Sequence, residues 1–188
     1  MKKITVMIAS LAFLCTGLFA KDIEVSVGAG ERWYQRQTPV TAIWLEDTDG
    51  NFLKTIYLSP SYDGTIQLPV WKALDKTTKS VDVTATSTPR GGVHFVTQID
   101  ENTDYVIKAE INAKEDYNDS YGEKKFKGDG QPSVVYSCPM PGNFVEELTL
   151  KIDGYGEKNG NVNPDMSKIT TAHKIIKMYN VIVFEEEE

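Results

Sequence analysis

Residues 104–112, DYVIKAEIN, carry the clearest structural signal in this chain of 188 residues. Every second side chain from Tyr105 to Ile111 is apolar, and the side chains between them are mostly polar, Lys108 and Glu110 among them. Successive side chains of a β-strand point to opposite faces of a sheet. The alternation therefore predicts a strand with one buried face and one face in water.

Other runs extend this pattern along the chain. Residues 148–152 repeat the alternation, residues 40–45 are apolar on nearly both faces, and residues 179–184 form a last predicted strand. The remaining predicted strands are 23–27, 52–58, 81–85 and 93–97. Seven or eight short strands with turn residues between them, and without alternating helices, favour an all-β fold, an antiparallel β-sandwich.

Turns and short helices complete the predicted architecture. Asp49-Gly50 lies between two predicted strands and supplies the positive φ angles of a tight β-hairpin. Pro69 begins a predicted helical turn over 69–74, because proline fits the first position of a helix. Apolar residues at helical spacing over 169–179 predict a second short helix, although β-branched residues are frequent there.

Residues 1–20 predict export. Lys2 and Lys3 precede a short apolar run, and a small residue, Ala20, ends it. This order is typical of a secretory signal peptide, and the run is too short to span a membrane. Residues 21–188 are then expected to form a single β-sandwich domain with a short acidic tail, and the predicted location is the periplasm.

Charge and cysteine usage narrow the range of partners. Without Lys2 and Lys3 the chain has 18 Lys and Arg against 27 Asp and Glu, a net charge of −9. An acidic domain without a basic stripe argues against nucleic acid and against docking on an anionic bilayer. Cys138 is expected to be a buried apolar side chain, with a reactive thiol or an intermolecular bridge as the alternative. The alternative to cleavage after Ala20 is cleavage before Cys15 with lipid attachment at Cys15.

The sequence predicts no catalytic set. A hydrolytic triad needs a histidine base between a nucleophile and a carboxylate. His94 and His173 are the available histidines, and neither lies in a nucleophile-elbow or zinc-site pattern. We expect His94 on a polar strand face and His173 at the surface. The protein is therefore predicted not to be an enzyme.

Oxygen-bearing side chains provide an alternative, calcium-binding interpretation. Asp47, Asp49 and Asn51 resemble the start of a calcium loop, but Leu58 occupies the position where such a loop carries its distal carboxylate. A polar hairpin turn is the other interpretation. Two further clusters are calcium candidates: Asp116, Asn118 and Asp119, and Asn161, Asn163 and Asp165.

Trp33 and Tyr34 are the candidate ligand-contact residues. They lie among charged and polar residues, so we expect partial exposure, and flat rings suit stacking on a sugar. Trp44 has apolar flanks, and core packing is its more ordinary role. A long polar loop over 112–131 is expected to form a contact surface together with Trp33 and Tyr34.

Three segments, taken in order, add a family resemblance. They are 41–58 (TAIWLEDTDGNFLKTIYL), 68–92 (LPVWKALDK, then VDVTATSTPRGG), and the pair 130–137 (GQPSVVYS) and 169–183 (ITTAHKIIKMYNVIV). Together they resemble the bacterial family of predicted periplasmic proteins named domain of unknown function 2271. The resemblance implies an immunoglobulin-like form of the β-sandwich and no established reaction.

The same resemblance implies a flavin alternative. Members of that family look like neighbours of flavin-linked electron-transfer proteins outside the cytoplasm. Some carry an Asp, a short gap and Ser-Gly-Ala-Thr, similar to the motif whose threonine receives covalent flavin phosphate. Asp82 and residues 85–88 have the corresponding spacing, so Thr88 would be the acceptor. A Thr-Ser pair replaces Gly-Ala, and a strand end that turns at Pro89 is the other interpretation.

The predicted function is that of an exported, non-enzymatic β-sandwich that serves as a binding or accessory module for a protein partner in the bacterial envelope. One alternative is an accessory or carrier protein of a flavin-linked electron-transfer system outside the cytoplasm, with FMN as its cofactor. The other alternative is a module that binds calcium or glycans.

Overall fold

The structure is a computed structural model that describes residues 20–33, 39–60, 62–74, 87–88, 92–122, 130–143 and 147–183. Most of the predicted leader, the predicted strand over 81–85 and the acidic tail over 185–188 lie outside the described residues. The described residues form eleven strands, one short α-helix and two 3₁₀ turns.

Two antiparallel sheets contain these strands. The strands are β1 (Ala20–Ala29), β2 (Val40–Glu46), β3 (Phe52–Leu58), β4 (Ser87–Thr88), β5 (Gly92–Asp100), β6 (Tyr105–Asn112), β7 (Val134–Met140), β8 (Leu148–Thr149), β9 (Lys151–Gly156), β10 (Val162–Asn163) and β11 (Ile176–Val183). Sheet A has the order β4-β5-β1-β11-β8, and sheet B has the order β10-β9-β7-β6-β2-β3. The predicted all-β sandwich is confirmed, and its immunoglobulin-like form stays a prediction.

Alternate side chains of both sheets meet in the main core. In β1 the inward residues Ile23, Val25 and Val27 are buried, as the alternation predicted. The Tyr57 ring of sheet B stacks on the Phe95 ring of sheet A with their centroids 5.4 Å apart. The two inner faces therefore interdigitate as the layers of a sandwich do.

Sheet B is covered on its outer face as well. Residues 62–74, which we call the cover, include helix α1 (Pro69–Ala73) and pack on the strands of sheet B. Cover and strands form a second buried apolar cluster: Val40, Ala42, Trp44, Phe52, Ile66, Leu68, Val70, Trp71 and Val135. Because of this cluster β2 is buried on both faces, which confirms the prediction for 40–45.

The predicted hairpin and the first helix are confirmed, but the positive φ predicted for Asp49 is wrong, and in this pair Gly50 alone has one. β2 and β3 pair antiparallel around the turn that contains Gly50, whose φ is +83°. Glycine adopts this left-handed backbone without the steric penalty of a side chain. Pro69 occupies the first turn of α1, and the Lys72 amide donates to the Leu68 carbonyl at 2.9 Å.

The predicted helix over 169–179 is wrong. The 3₁₀ turn Met166–Lys168 precedes this segment, the 3₁₀ turn Ala172–Lys174 lies in its first part, and β11 begins at Ile176. β11 pairs with β1 from Ala29 back to Ile23, with one register shift between Gly28 and Ala29, so its residues gain backbone hydrogen bonds along the sheet. Sheet pairing and β-branched residues outweigh the helical spacing of the apolar side chains.

The wet face predicted for residues 104–112 is wrong at its end. Glu110 is 0% exposed and Asn112 is 2% exposed, although both lie on the polar side of the alternation. The cover lies over that part of β6, where the Trp71 amide and the Gln67 carbonyl bond these two side chains. Alternation correctly separated the two faces, but the outer face is buried here.

The predicted strand over 148–152 divides between the two sheets. Its first residues form β8 in sheet A, and Lys151 begins β9 in sheet B. Leu150 is buried where the chain crosses from one sheet to the other. Ile152, which the alternation placed in the core, is 45% exposed, because the crossover interrupts the face that it was expected to share with Leu148.

Candidate functional site at the loop end

Irregular segments meet at one end of the sandwich, where β1 ends and β11 begins. They are the turn over 30–33, residues 113–122 of the predicted polar loop and the segment over 166–175. The Gly30 amide donates to the Ile175 carbonyl at 2.9 Å, and the Arg32 amide donates to the Lys174 carbonyl at 3.1 Å. We call this part of the molecule the loop end.

Gln131 fastens the polar loop to the segment over 166–175. Its side chain amide is buried, and Nε2 donates to Asp116 Oδ2 at 2.9 Å. Its Oε1 accepts from the Thr170 amide at 2.7 Å. The Thr171 hydroxyl accepts a hydrogen bond from Gln131 Nε2 and donates one to Asp116 Oδ1 at 2.6 Å. These four residues form a closed polar network, which we call the clasp.

Asn118 fastens the polar loop at a second place. Its Nδ2 donates to the Lys168 carbonyl at 2.9 Å and to the Thr170 hydroxyl at 3.0 Å. Its Oδ1 accepts from the amides of Ser120 and Tyr121, which closes a local turn of the kind that asparagine favours. The loop is therefore held by directional hydrogen bonds on both sides of Tyr117.

The backbone of the loop is strained beside the clasp. Glu115 has a φ of +62°, which a residue with a side chain adopts at a cost of energy. Gly130 has a φ of +100°, and a Cβ there would lie 2.6 Å from the Asp116 carbonyl oxygen. Asp116 and Gly130 form an isolated β-bridge, so glycine is needed for this close approach.

Tyr121 is a half-buried aromatic residue of the polar loop. It packs against the main core, and burial raises the pKa of its phenol, with the Tyr155 hydroxyl adding to the effect. Lys174 and Glu31 form an exposed ion pair across the loop end at 4.0 Å. Exposed pairs of this kind contribute little to stability. The loop end therefore presents hydroxyls and mixed charges rather than an apolar patch.

The expected exposure of Trp33 is wrong. The turn over 30–33 directs its side chain into the main core, where it is 1% exposed. Within the described part of the chain, its indole Nε1 has no hydrogen-bond partner. Tyr34 lies outside the described residues, so ligand contact by this pair stays a prediction.

Asp47, Asp49 and Asn51 form the turn of the β2–β3 hairpin. Asp47 Oδ1 accepts from the Asp49 amide at 3.0 Å and from the Asn51 amide at 2.8 Å. Asp47 Oδ2 accepts from Asn51 Nδ2 at 2.9 Å. Among the described residues, no group of three or more His, Cys, Asp or Glu is placed to hold a metal ion. Calcium binding at this turn stays a prediction.

Thr88 lies in the short edge strand β4, where it pairs with Gly92 of β5. Gly92 pairs in turn with Gly28 of β1, so two residues without side chains lie in the same row of sheet A. A Cβ at Gly92 would lie 1.7 Å from the Val27 carbonyl oxygen, and its φ is +105°. Asp82 lies outside the described residues.

A serine, a histidine and a glutamate meet on the outer face of sheet A. His94 Nδ1 lies 3.0 Å from Ser26 Oγ and 3.0 Å from Glu24 Oε1. A hydrolytic triad needs one ring nitrogen for the nucleophile and the other for the carboxylate. Both partners share Nδ1 here, so the cluster lacks triad geometry. Ser26 lies opposite His94 because of the way β1 pairs with β5. The sequence around either residue does not predict this pairing.

Cys138 and His173 occupy less exposed positions. Cys138 is buried in β7, and burial raises the pKa of its thiol, so the predicted buried apolar role is confirmed. His173 is half-buried in the second 3₁₀ turn, whereas we expected it at the surface. Of the clasp residues, Asp116 was predicted only as a calcium candidate, and Gln131, Thr170 and Thr171 were not predicted, although the polar composition of 112–131 marked the loop that contains Asp116 and Gln131.

The fold and the loop end define an antiparallel β-sandwich with a fastened polar loop at one end. No family model, curated protein or solved structure matches this chain. The resemblance to domain of unknown function 2271 therefore stays a prediction. Among the helices in the described residues, none has the length and apolar character needed to cross a membrane.

Proposed function

We propose that the protein is exported to the bacterial envelope and binds a protein partner there through its loop end, without catalysing a reaction. The clasp is the observation that carries the proposal. A loop held in one conformation before binding loses less conformational entropy when a partner arrives. Residues that bind partners are concentrated on loops positioned by a rigid scaffold, and backbone strain such as that at Glu115 accumulates at such loops.

The exposed charges of the polar loop offer a direct test. Lys114→Glu combined with Asp119→Lys reverses two exposed charges and leaves the net charge and the clasp unchanged. We expect this double variant of residues 21–188 to lose at least about tenfold in affinity for the captured envelope protein, since like charges across an interface are costly. The matched control is Lys151→Glu with Glu147→Lys, two exposed positions away from the loop.

The measurement is capture from an envelope extract, followed by titration of the captured protein against each variant. If both double variants bind the captured protein with equal affinity, the loop end is not the contact surface. Turnover of a substrate in a broad panel of hydrolase and redox assays would contradict the non-enzymatic part of the proposal.

A second candidate function is covalent carriage of FMN at Thr88. The place of Thr88 in β4 favours it, because in the described residues β4 is an edge strand of sheet A that pairs with β5 on one side. Intact-mass measurement after production in cells that contain a flavin transferase tests this candidate. An FMN phosphate adduct that disappears in Thr88→Ala supports it, and an unmodified mass for the parent chain excludes it.

A further inference from the structure

Glu110 is fully buried between sheet B and the cover. Its Oε2 accepts from the Trp71 amide at 2.7 Å. Its Oε1 accepts from the Val70 amide at 3.2 Å and from the Ser133 hydroxyl at 2.6 Å. A single carboxylate of β6 thus binds the first turn of α1 to the sheet beneath it.

Two further polar bonds join the cover to sheet B. Asn112 Nδ2 donates to the Gln67 carbonyl at 2.8 Å, and Trp71 Nε1 donates to Thr55 Oγ1 at 3.0 Å. In the described residues the cover contributes no strand to either sheet. Its departure would therefore leave the backbone ladders of both sheets intact.

The apolar contacts of the cover are separate from the main core. The cluster beneath the cover and the cluster between the sheets share no residue, since sheet B lies between them. Proteins open in cooperative units that are bounded in this way. The cover is such a unit, whereas the strands of sheet B belong to both clusters.

A carboxylate is an expensive side chain for a permanently closed layer. Burial removes its hydration, and the three donors compensate that loss while the cover is closed. When the cover opens, water solvates the carboxylate again, which lowers the cost of opening relative to that of an apolar residue. Glu110 thus has a favourable environment in both arrangements.

We propose that the cover is a lid that opens as a unit while both sheets stay folded, and that Glu110 is the latch that holds it closed. Opening uncovers the outer strip of β2, formed by Val40, Ala42 and Trp44, which are buried in the closed form. The proposal concerns the face of sheet B and is independent of the loop end.

Hydrogen exchange measured by mass spectrometry on residues 21–188 tests the lid. In the parent chain we expect amides of the cover, such as that of Lys72, to exchange faster than the ladder amides of β6. Glu110→Gln places an amide group against three donors, so exchange in the cover should rise about tenfold or more. Exchange in β1 and β5 should stay unchanged.

Two further variants complete the test. Ser133→Ala removes one donor from the latch and should raise exchange in the cover by a smaller factor, with the sheets unaffected. Glu24→Gln neutralises a carboxylate on the outer face of sheet A and is the matched control, for which no change is expected. Should Glu110→Gln fail to fold, the parent chain and Ser133→Ala decide the outcome. Exchange of the cover and of β6 at one common rate in those proteins would overturn the proposal.

Discussion

The outer faces of the two sheets differ in what lies over them. On sheet A, the outward residues His94, Val96 and Gln98 of β5 are exposed, as a simple alternation predicts. On sheet B, the outward residues Ala42 and Trp44 of β2 are buried beneath the cover. Alternation of residue types therefore tells which side chains share a face. Whether that face meets water depends on a segment elsewhere in the chain.

The two outer faces also differ in their polar residues. On sheet A, Ser26, His94 and Glu24 bond one another across β1 and β5 at the surface. On sheet B, Glu110 and Asn112 bond the cover instead of water. The same kinds of side chain thus act as a solvated surface on one sheet and as anchors on the other, and substitutions on each face measure this difference.

The largest effect is expected for Trp44→Ala. Trp44 is fully buried beneath the cover, so the truncation loses its apolar burial and leaves a cavity, at a cost of about 3–5 kcal/mol in the free energy of unfolding. Urea unfolding monitored by circular dichroism measures it. Val96→Ala, on the outer face of sheet A, should change the same free energy by about 0.5 kcal/mol or less. Equal losses in the two variants would contradict the difference between the two outer faces.

Asn112→Ala sharpens the comparison for polar residues. The variant removes the 2.8 Å bond to the Gln67 carbonyl beneath the cover, and we expect a loss of about 1–3 kcal/mol in the free energy of unfolding. Gln98→Ala is the control on sheet A, because Gln98 is exposed. A loss in Asn112→Ala no larger than in this control would mean that the bond beneath the cover adds nothing.

Alkaline pH tests the core between the sheets. Burial raises the pKa of the Tyr136 phenol and of the Cys138 thiol in the folded chain. Above the ordinary pKa of each group, from about pH 9 upward, the unfolded chain loses protons that the folded chain keeps. The free energy of unfolding should therefore be fully retained below about pH 8 and fall as the pH rises, by about 1 kcal/mol near pH 10.

Urea unfolding at several pH values measures this dependence. Tyr136→Phe removes one of the two groups and should flatten the decline above pH 9, roughly the range in which phenols ionise. Stability that stays level to pH 11, about one unit above the ordinary phenol pKa, would show that these groups titrate alike in both states.

The smallest effect is expected for His94→Ala. Its contacts with Ser26 and Glu24 lie on the outer face of sheet A, where solvent screens the charges, so the change should stay within about 0.5 kcal/mol. Thermal unfolding at neutral pH measures it, with the parent chain as reference. A loss comparable with that of Asn112→Ala would mean that both outer faces depend on polar anchors.

Much of the fold was predictable because its signals are local. The alternation in β1, β5 and β6, the turn at Gly50 and the proline that begins α1 all act within a few residues. The failures occurred where distant partners decided the outcome. Residues 169–179 became a 3₁₀ turn and the start of a strand because β1 supplied a pairing edge.

The candidate site was less predictable than the fold. Composition marked the loop over 112–131, but the clasp joins Asp116 and Gln131 to Thr171, which lies 40 residues from Gln131. Trp33 was expected at the surface because its neighbours in sequence are polar, yet the turn directs its ring into the core. The polarity of neighbouring residues does not determine whether a turn directs a side chain into the core or into solvent.

The amino-acid sequence by itself determined the extended segments, their inward faces and the hairpin turn that contains Gly50, because backbone geometry and side chain alternation act at short range. Tertiary structure alone decided that Glu110 is buried, that Ile152 is exposed and that Gln131 fastens the polar loop. The physical reason is that burial and hydrogen bonding depend on which distant segment comes to lie over a face.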